Sequence, residues 1–485
     1  MIKTNFIDVV STFSKDEFKM FIDFVNSPFH NTNKALVKLA DVVKKYYPEF
    51  ENRNFTKENI YSKVFGIKKY NDQVMRNLMS DALQLSYSFL KVRRAASNTP
   101  GISVYLLSEL RERKLDSLYS KNMKSAFKEV NHEHSLNFSY FEYLYDLESE
   151  VFLNEITHNR QEEVYPVIVK QSEYLTYDYL TKLIHHLIDM DINEKYFQIS
   201  DTPSIAKAIF ASIDLQGIIK HLEATSEKEH SIFSLFYYRA MAAIKGTPEE
   251  YQRLKELFFK NAPLFTPAAN YVLVTSLETF CIDNIRKDAA KYRNELFEIH
   301  KWTIDNDLIK LTKDEFLNMM RFWNIFVNSV EISQTEFAEE FVEKYHHELE
   351  PDVRDGLYNL AWAILYFKRK DFHRSLERLN VTRINQFLFK LQIKTYYLRI
   401  YYEINDFESA AFALDSYKQF LYKNKKINDS YRESYLNFAS VYNDLVKLKL
   451  NEKGSSAENI ISRIEQLGSV YNKPWLIEKA RELIH

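Results

Sequence analysis

The sequence predicts an all-α protein, a solenoid of helical hairpins with a separate N-terminal helical unit. Three observations carry that expectation. The 485 residues include 36 Phe and 33 Tyr but only 7 Gly and 10 Pro, and so little glycine argues against a sheet built on tight hairpins, whose favoured turns need positive φ. An offset of 35 residues lays Asp371-Phe372 on Asp406-Phe407 and aligns LYNLAWAILYFKRKDFHRSLERL with KTYYLRIYYEINDFESAAFAL. Finally, Ser or Thr followed three residues later by Glu, the spacing of a helix-capping box, recurs at Ser14, Thr247, Thr312, Ser333 and Ser455.

Taken in order, residues 1–96 read as a basic helical domain. Ser14 and Glu17 cap a helix that places Phe18, Phe21, Ile22 and Val25 on one face, and Pro28 ends it by disfavouring helix at Ser27. A second helix carries Leu36, Leu39, Ala40, Val43 and Tyr47. Thr56 caps a third that runs to Phe65 and stops at Gly66, and Asn71 or Asp72 caps a long fourth. Ser97-Asn98-Thr99-Pro100-Gly101 is the clearest break in the chain.

Residues 103–348 read as divergent helical hairpins and 349–485 as the regular repeats. Proline suits the first helical position, where its missing amide costs nothing, and it stands there in Thr202-Pro203, Thr247-Pro248 and Thr266-Pro267. The expected helix pairs are 231–260, 267–304, 312–348, 354–381, 386–424 and 430–468, with a last short helix after Pro474. A steady spacing of this kind marks an array whose units bury their apolar faces by stacking on neighbours. The other reading of the echo, a plain helical bundle with a chance repetition, stays open. Against it, the stretch from Gly356 to Phe367 is apolar nearly all round, as suits a helix packed on both sides.

The two central units, about 356–424, resemble tetratricopeptide repeats, whose unit is about 34 residues long. Trp362, Ala363, Tyr366, Ser375 and Leu379 occupy the pattern positions of the first unit, and Tyr397, Leu398, Tyr401, Ala410 and Leu414 those of the second. Leu398 is large where the family prefers a small residue, and Lys370 stands where a turn glycine is usual. Asn405, its counterpart, tolerates a left-handed backbone better. The resemblance implies a tetratricopeptide-like superhelix whose concave face binds protein or peptide.

Composition excludes several function classes. The net charge is −2, so the chain as a whole is no polycation for nucleic acid or membrane. The single Cys281 cannot form an intramolecular disulfide. No apolar run reaches the roughly 18 residues of a membrane span, and the N-terminus lacks a secretory pattern; the expectation is a cytoplasmic protein. Glycines are too scattered for a phosphate loop. Adjacent histidines on a helix, His185-His186 and His346-His347, point about 100° apart and cannot share a metal. His132-Glu133-His134 offers two imidazoles without a third ligand, and Cys281 reads as a small core residue. No spacing singles out a catalytic set, so the reading is no enzyme, no cofactor and no metal.

Two surfaces remain as candidates. The resemblance places Leu360, Ile364 and Phe367 of the first unit, and Gln392, Thr395, Arg399 and Tyr402 of the second, along a concave groove suited to an amphipathic peptide. Packing against an adjacent helix of the same chain would account for them equally well. If the groove is open, substituting Arg399 and Tyr402 leaves the fold nearly intact. The second surface is basic: residues 1–96 hold sixteen Lys and Arg against ten Asp and Glu, with Lys68, Lys69, Arg76, Lys91, Arg93 and Arg94 on or before the fourth helix. That arrangement admits a helix-turn-helix reading nucleic acid, or simply a solvated basic helix. The main expectation is therefore a protein-binding scaffold, with a DNA-binding regulator as the alternative.

Overall fold

The computed structural model of the chain describes residues 3–66, 69–96, 99–132, 136–197, 204–225, 227–313, 315–424, 429–451 and 456–484. Among them are twenty-four α-helices and no strand beyond one isolated parallel bridge between Leu136 and Phe265. Contacts divide the chain into two compact units, Met1–Val130 with Tyr143–Ser172, and Asn131–Glu142 with Glu173–His485.

The first unit begins with α1 (Asn5–Ser11), α2 (Lys15–Asn26), α3 (Lys34–Val43), α4 (Lys57–Phe65) and α5 (Asp72–Ala96). The Ser14–Glu17 capping box forms in both directions, Glu17 N–H to Ser14 Oγ at 3.2 Å and Ser14 N–H to the Glu17 carboxylate at 2.7 Å. Asn71 caps α5 by accepting from the amides of Gln73 and Val74, and Gly66, at φ 79°, ends α4. α5 packs against α1, α2 and α3. Phe89 near its end lies 5.5–5.6 Å from the rings of Phe13, Phe21 and Phe24, so one aromatic residue on α5 gathers α2 and the turn that precedes it. Helix α1, capped by Thr4, was not anticipated, since seven residues are too few to show a period. Of the expected break at 97–101, Ser97 and Asn98 lie outside the described residues. After α5 ends at Ala96, α6 (Thr99–Glu112) begins with Pro100 and Gly101 inside its first turn, where proline is well tolerated. α7 (Asp116–Val130) follows, then α8 (Tyr140–Thr157) and α9 (Gln161–Phe197).

In the second unit α10 (Ile205–Ser212) and α11 (Leu215–Thr225) precede the hairpins α12–α13 (Glu227–Ile244, Pro248–Asn261), α14–α15 (Pro267–Asn284, Ala289–Asp305), α16–α17 (Met319–Glu331, Thr335–Tyr345), α18–α19 (Pro351–Lys368, Phe372–Val381), α20–α21 (Phe387–Glu403, Phe407–Lys423) and α22–α23 (Asp429–Lys449, Ala457–Gln466), with α24 (Lys473–Arg481) last. The second helix of each hairpin packs on the first of the next: α13 on α14, α15 on α16, α17 on α18, α19 on α20 and α21 on α22. The expected pairs are met within a few residues at nearly every boundary.

Three of the expected caps differ. Thr312 and Glu315 lie outside any helix, joined by a turn bond from the Glu315 amide to the Thr312 carbonyl at 3.4 Å; the amide of Leu317 bonds to the carbonyl of Glu348 at 2.8 Å, and Asn318 caps α16. Ser333, at φ 64°, terminates α16 instead of capping α17. Ser455 lies outside the described residues, and Ser456 caps α23 in its place. The Thr202-Pro203 start also lies outside them. Thr266 caps α14 through its side chain, whereas Thr247 makes no such bond.

The turns explain why the spacing is regular. Lys370 and Asn405 both adopt left-handed backbone, φ 62° and 61°. In each turn the next amide reaches back five residues, Asp371 N–H to Tyr366 O and Asp406 N–H to Tyr401 O, both at 2.9 Å. Asp371 and Asp406 then cap the following helices, accepting from the amides of Arg374 and Ser409. The same closure occurs at Lys114, Asn159, Asp307 and Ser333. It is the Schellman ending, which satisfies the last carbonyls of a helix, and six different turns reach it without glycine.

Candidate functional site

Between the helices of the central hairpins, several of the aligned positions are buried. Ser375 Oγ donates to Ala363 O at 2.6 Å with both residues buried, and Leu379, Leu398, Ala410 and Leu414 are buried. The aromatic positions are half-buried and reach the preceding hairpin: Trp362 Nε1 donates to Glu343 of α17 (2.9 Å) and Tyr397 Oη to Asn380 of α19 (2.8 Å).

The groove expected along α18 and α20 is not an open surface. Leu360, Ile364, Phe367, Thr395, Arg399 and Tyr402 are all buried, none more than 7% exposed. The chain's own C-terminal helices cover α20. Tyr442 of α22 donates to Leu398 O at 2.7 Å, while Trp475 of α24 sets its ring 5.5 Å from Tyr402 and donates to Glu403 at 3.1 Å. Lys479, also on α24, pairs with Glu403 at 3.0 Å. The Arg399 guanidinium is enclosed by the rings of Phe367, Tyr396 and Trp475 at 4.3, 4.9 and 5.3 Å, a desolvated cation–π setting. These side chains are core.

The basic residues are placed differently. Lys69, Arg76, Lys91, Arg93 and Arg94 are exposed, and Lys68 lies outside the described residues. One face of α5 is committed to the core through Met75, Leu78, Met79, Ala82, Leu85 and Phe89. On the other face Arg76 pairs with Asp72 at 2.8 Å, and Arg93 reaches Glu17 of α2 at 2.6 Å. Lys91, Arg93 and Arg94 stand at the helix C-terminus, where cations are favoured by the helix dipole. Charge on this face is thus mixed, and part of it is used within the unit.

Cys281 and His300 are both shielded from water. Cys281 is fully buried beside Tyr251 Oη at 3.3 Å, and burial pushes its thiol up to about 12. His300 is buried as well; burial, then the nearby Arg321, holds its imidazole down to about 3, so it stays neutral. His346 and His347 sit on a single 3₁₀ turn with rings 3.6 Å apart; residues 133 and 134 of the His132 motif lie outside the described residues. No helix among the described residues is long and apolar enough to cross a membrane.

Exposed apolar side chains occur in both units, Phe29, Ile205 and Phe412 among them, and α6 and the start of α9 each hold a run of them. Within the first unit, α9 buries none of residues 161–172, although its sequence there includes Val164, Tyr165, Val167, Ile168 and Val169. Tyr165 is 73% exposed and Ile168 44%, and α6 presents Ile102, Tyr105 and Leu106 at helical spacing, with Tyr105 72% exposed. The sequence signal at α9 was a dense apolar run without the one-sided period of a helix that covers its own apolar face. Compared with known proteins, the chain matches no family model, no curated protein and no solved structure.

Proposed function

We propose that the chain is a non-enzymatic, protein-binding scaffold of helical hairpins whose partner docks on the first unit, at the apolar residues of α6 and the start of α9. The observation that carries this reading is the exposure of Tyr165, Ile168 and Val169 on a helical segment with no buried residue. Exposed apolar groups clustered along a helix mark interaction surfaces, and tyrosines among them supply large contact area. The hairpins of the second unit, related to tetratricopeptide units by their 35-residue echo, serve as the rigid part. A DNA-binding role draws less support, because Arg76 and Arg93 already have carboxylate partners.

The test is co-purification of the full chain from its own cells, beside a Tyr105→Lys/Tyr165→Lys variant. The expected result is a stoichiometric partner lost from the variant, with circular dichroism unchanged. A variant that keeps its partner, or a complex that dissociates steeply between low and moderate salt as phosphate contacts do, overturns the reading.

A further inference from the structure

A cavity of about 710 Å³ lies in the second unit, lined by α9, α12 and α14 and by the turns that follow α12 and α14. Its apolar wall comes from Ile188, Ala242, Val272 and Phe280, and its size and lining are those of small-molecule sites. One charged side chain in the wall is nearly enclosed: Arg239 of α12 is 4% exposed. Its Nε donates to Ser276 Oγ at 2.8 Å, and its Nη1 lies 3.1 Å from Nδ1 of His185. Nη2 has no acceptor among the described residues, and Arg239 forms no ion pair there.

Burial lowers the Arg239 guanidinium to about 10, which leaves it a cation at neutral pH. His185 does not neutralise it. Burial first, and then the charge of Arg239, hold the imidazole below its ordinary value, so Nδ1 is an acceptor for Arg239 and the ring carries no charge. The Asp189 carboxylate lies 3.7 Å from the far nitrogen of His185; its charge partly offsets the burial of the guanidinium but forms no ion pair with it among the described residues. Arg321 provides the contrast within the same unit. Equally buried, it has Glu278 at 2.6 Å. A guanidinium out of water without a carboxylate is costly unless a negative charge arrives with a ligand.

We propose that this cavity binds a small amphipathic carboxylic acid, its carboxylate on Arg239 and Ser276 and its apolar body along Ile188, Val272 and Phe280. A carboxylate matches the planar fork of a guanidinium with a single charge. Asp189, Asp191 and Asp283 line the same cavity beside Lys245, Arg286 and Lys287, so the choice of a carboxylic acid over phosphate rests on the apolar wall, which a phosphate ion leaves uncovered.

The experiment is calorimetric titration of the full chain at fixed ionic strength with 4-phenylbutyrate, its neutral amide, and inorganic phosphate. The expected result is one saturable site for the acid and at least tenfold weaker binding of both the amide and phosphate. Arg239→Met should lose tenfold or more in affinity without a lower melting temperature, because methionine fills similar space and removes an unpaired charge. Thr279→Phe, which keeps Arg239 but fills the cavity that Thr279 lines, should also abolish binding. Equal binding of acid and amide, preference for phosphate, an Arg239→Met variant with undiminished affinity, or no binding heat at any acid concentration overturns the proposal.

Discussion

Replacing Lys370 with glycine should stabilise the protein, which glycine beside a helix rarely does. Lys370 sits at φ 62° with its side chain exposed, so the substitution acts through the backbone. An L-residue in left-handed conformation costs about 1–2 kcal/mol, and glycine gives back about 0.5–1 kcal/mol through the greater freedom of the unfolded chain. The net expectation for Lys370→Gly is a gain of about 0.5–1 kcal/mol. Asn405 occupies the equivalent position at φ 61°, but asparagine visits this region routinely, so Asn405→Gly should change stability by less than about 0.5 kcal/mol. All four tryptophans, Trp302, Trp323, Trp362 and Trp475, belong to the second unit. Urea unfolding followed by tryptophan fluorescence therefore reads the unit that holds both turns. A midpoint that rises for Lys370→Gly and barely moves for Asn405→Gly supports matched turns. A fall for Lys370→Gly would mean that the backbone there is right-handed and that the 35-residue echo is not a structural repeat.

Three further outcomes follow from the packing. Tyr402→Ala should destabilise by about 3–5 kcal/mol, since Tyr402 is 1% exposed among Phe407, Tyr442 and Trp475; an unchanged urea midpoint would restore the open groove. Gly356→Ala should cost about 1–3 kcal/mol by overpacking, because a methyl group there collides with the Arg383 carbonyl oxygen and comes within 3.2 Å of Ile384; a neutral result in thermal melting would show that α18 and the loop after α19 are farther apart. For His300 the folded-state value, held to about 3, lies below the unfolded value near 6.5. The unfolded chain then binds the extra proton, so this contribution is complete above about pH 6.5 and is lost as pH falls toward 3, with a slope approaching 1.4 kcal/mol per pH unit. Glu278, raised by burial, contributes with the opposite sign, so the test compares variant with wild type. His300→Leu should gain on wild type progressively as pH is lowered from 6.5 to 4.5, and parallel stability curves would place His300 in water.

Helix positions in the second unit were legible because capping residues, proline starts and apolar periods are local. The same holds for the Ser14–Glu17 box and for Cys281 as core. The fate of the groove was not local. Periodicity places Arg399 and Tyr402 on one face of α20, but the residue that covers them, Trp475, is 72 positions from its hydrogen-bond partner Glu403, and nothing near α20 announces it. Thr312 misled for a related reason: its cap-to-Glu spacing is sound, but the segment forms a turn, Leu317 bonds to the distant Glu348, and α16 starts only after Asn318. The apolar run at Val164–Val169 was visible in the letters, and only the fold showed that nothing within its own unit buries it. Arg239 likewise reads as an ordinary helix cation until Ser276 and His185 close around it.

The scaffold reading is tested most directly by placing the photo-crosslinker p-benzoylphenylalanine at position 105 or 165 of the full chain in its own cells. Phe412, 71% exposed in the second unit, serves as the control position. The account predicts one discrete adduct with another protein from positions 105 and 165 and none from 412. An adduct from 412 alone, an adduct with a second copy of the chain, or no adduct from either first-unit position would contradict it.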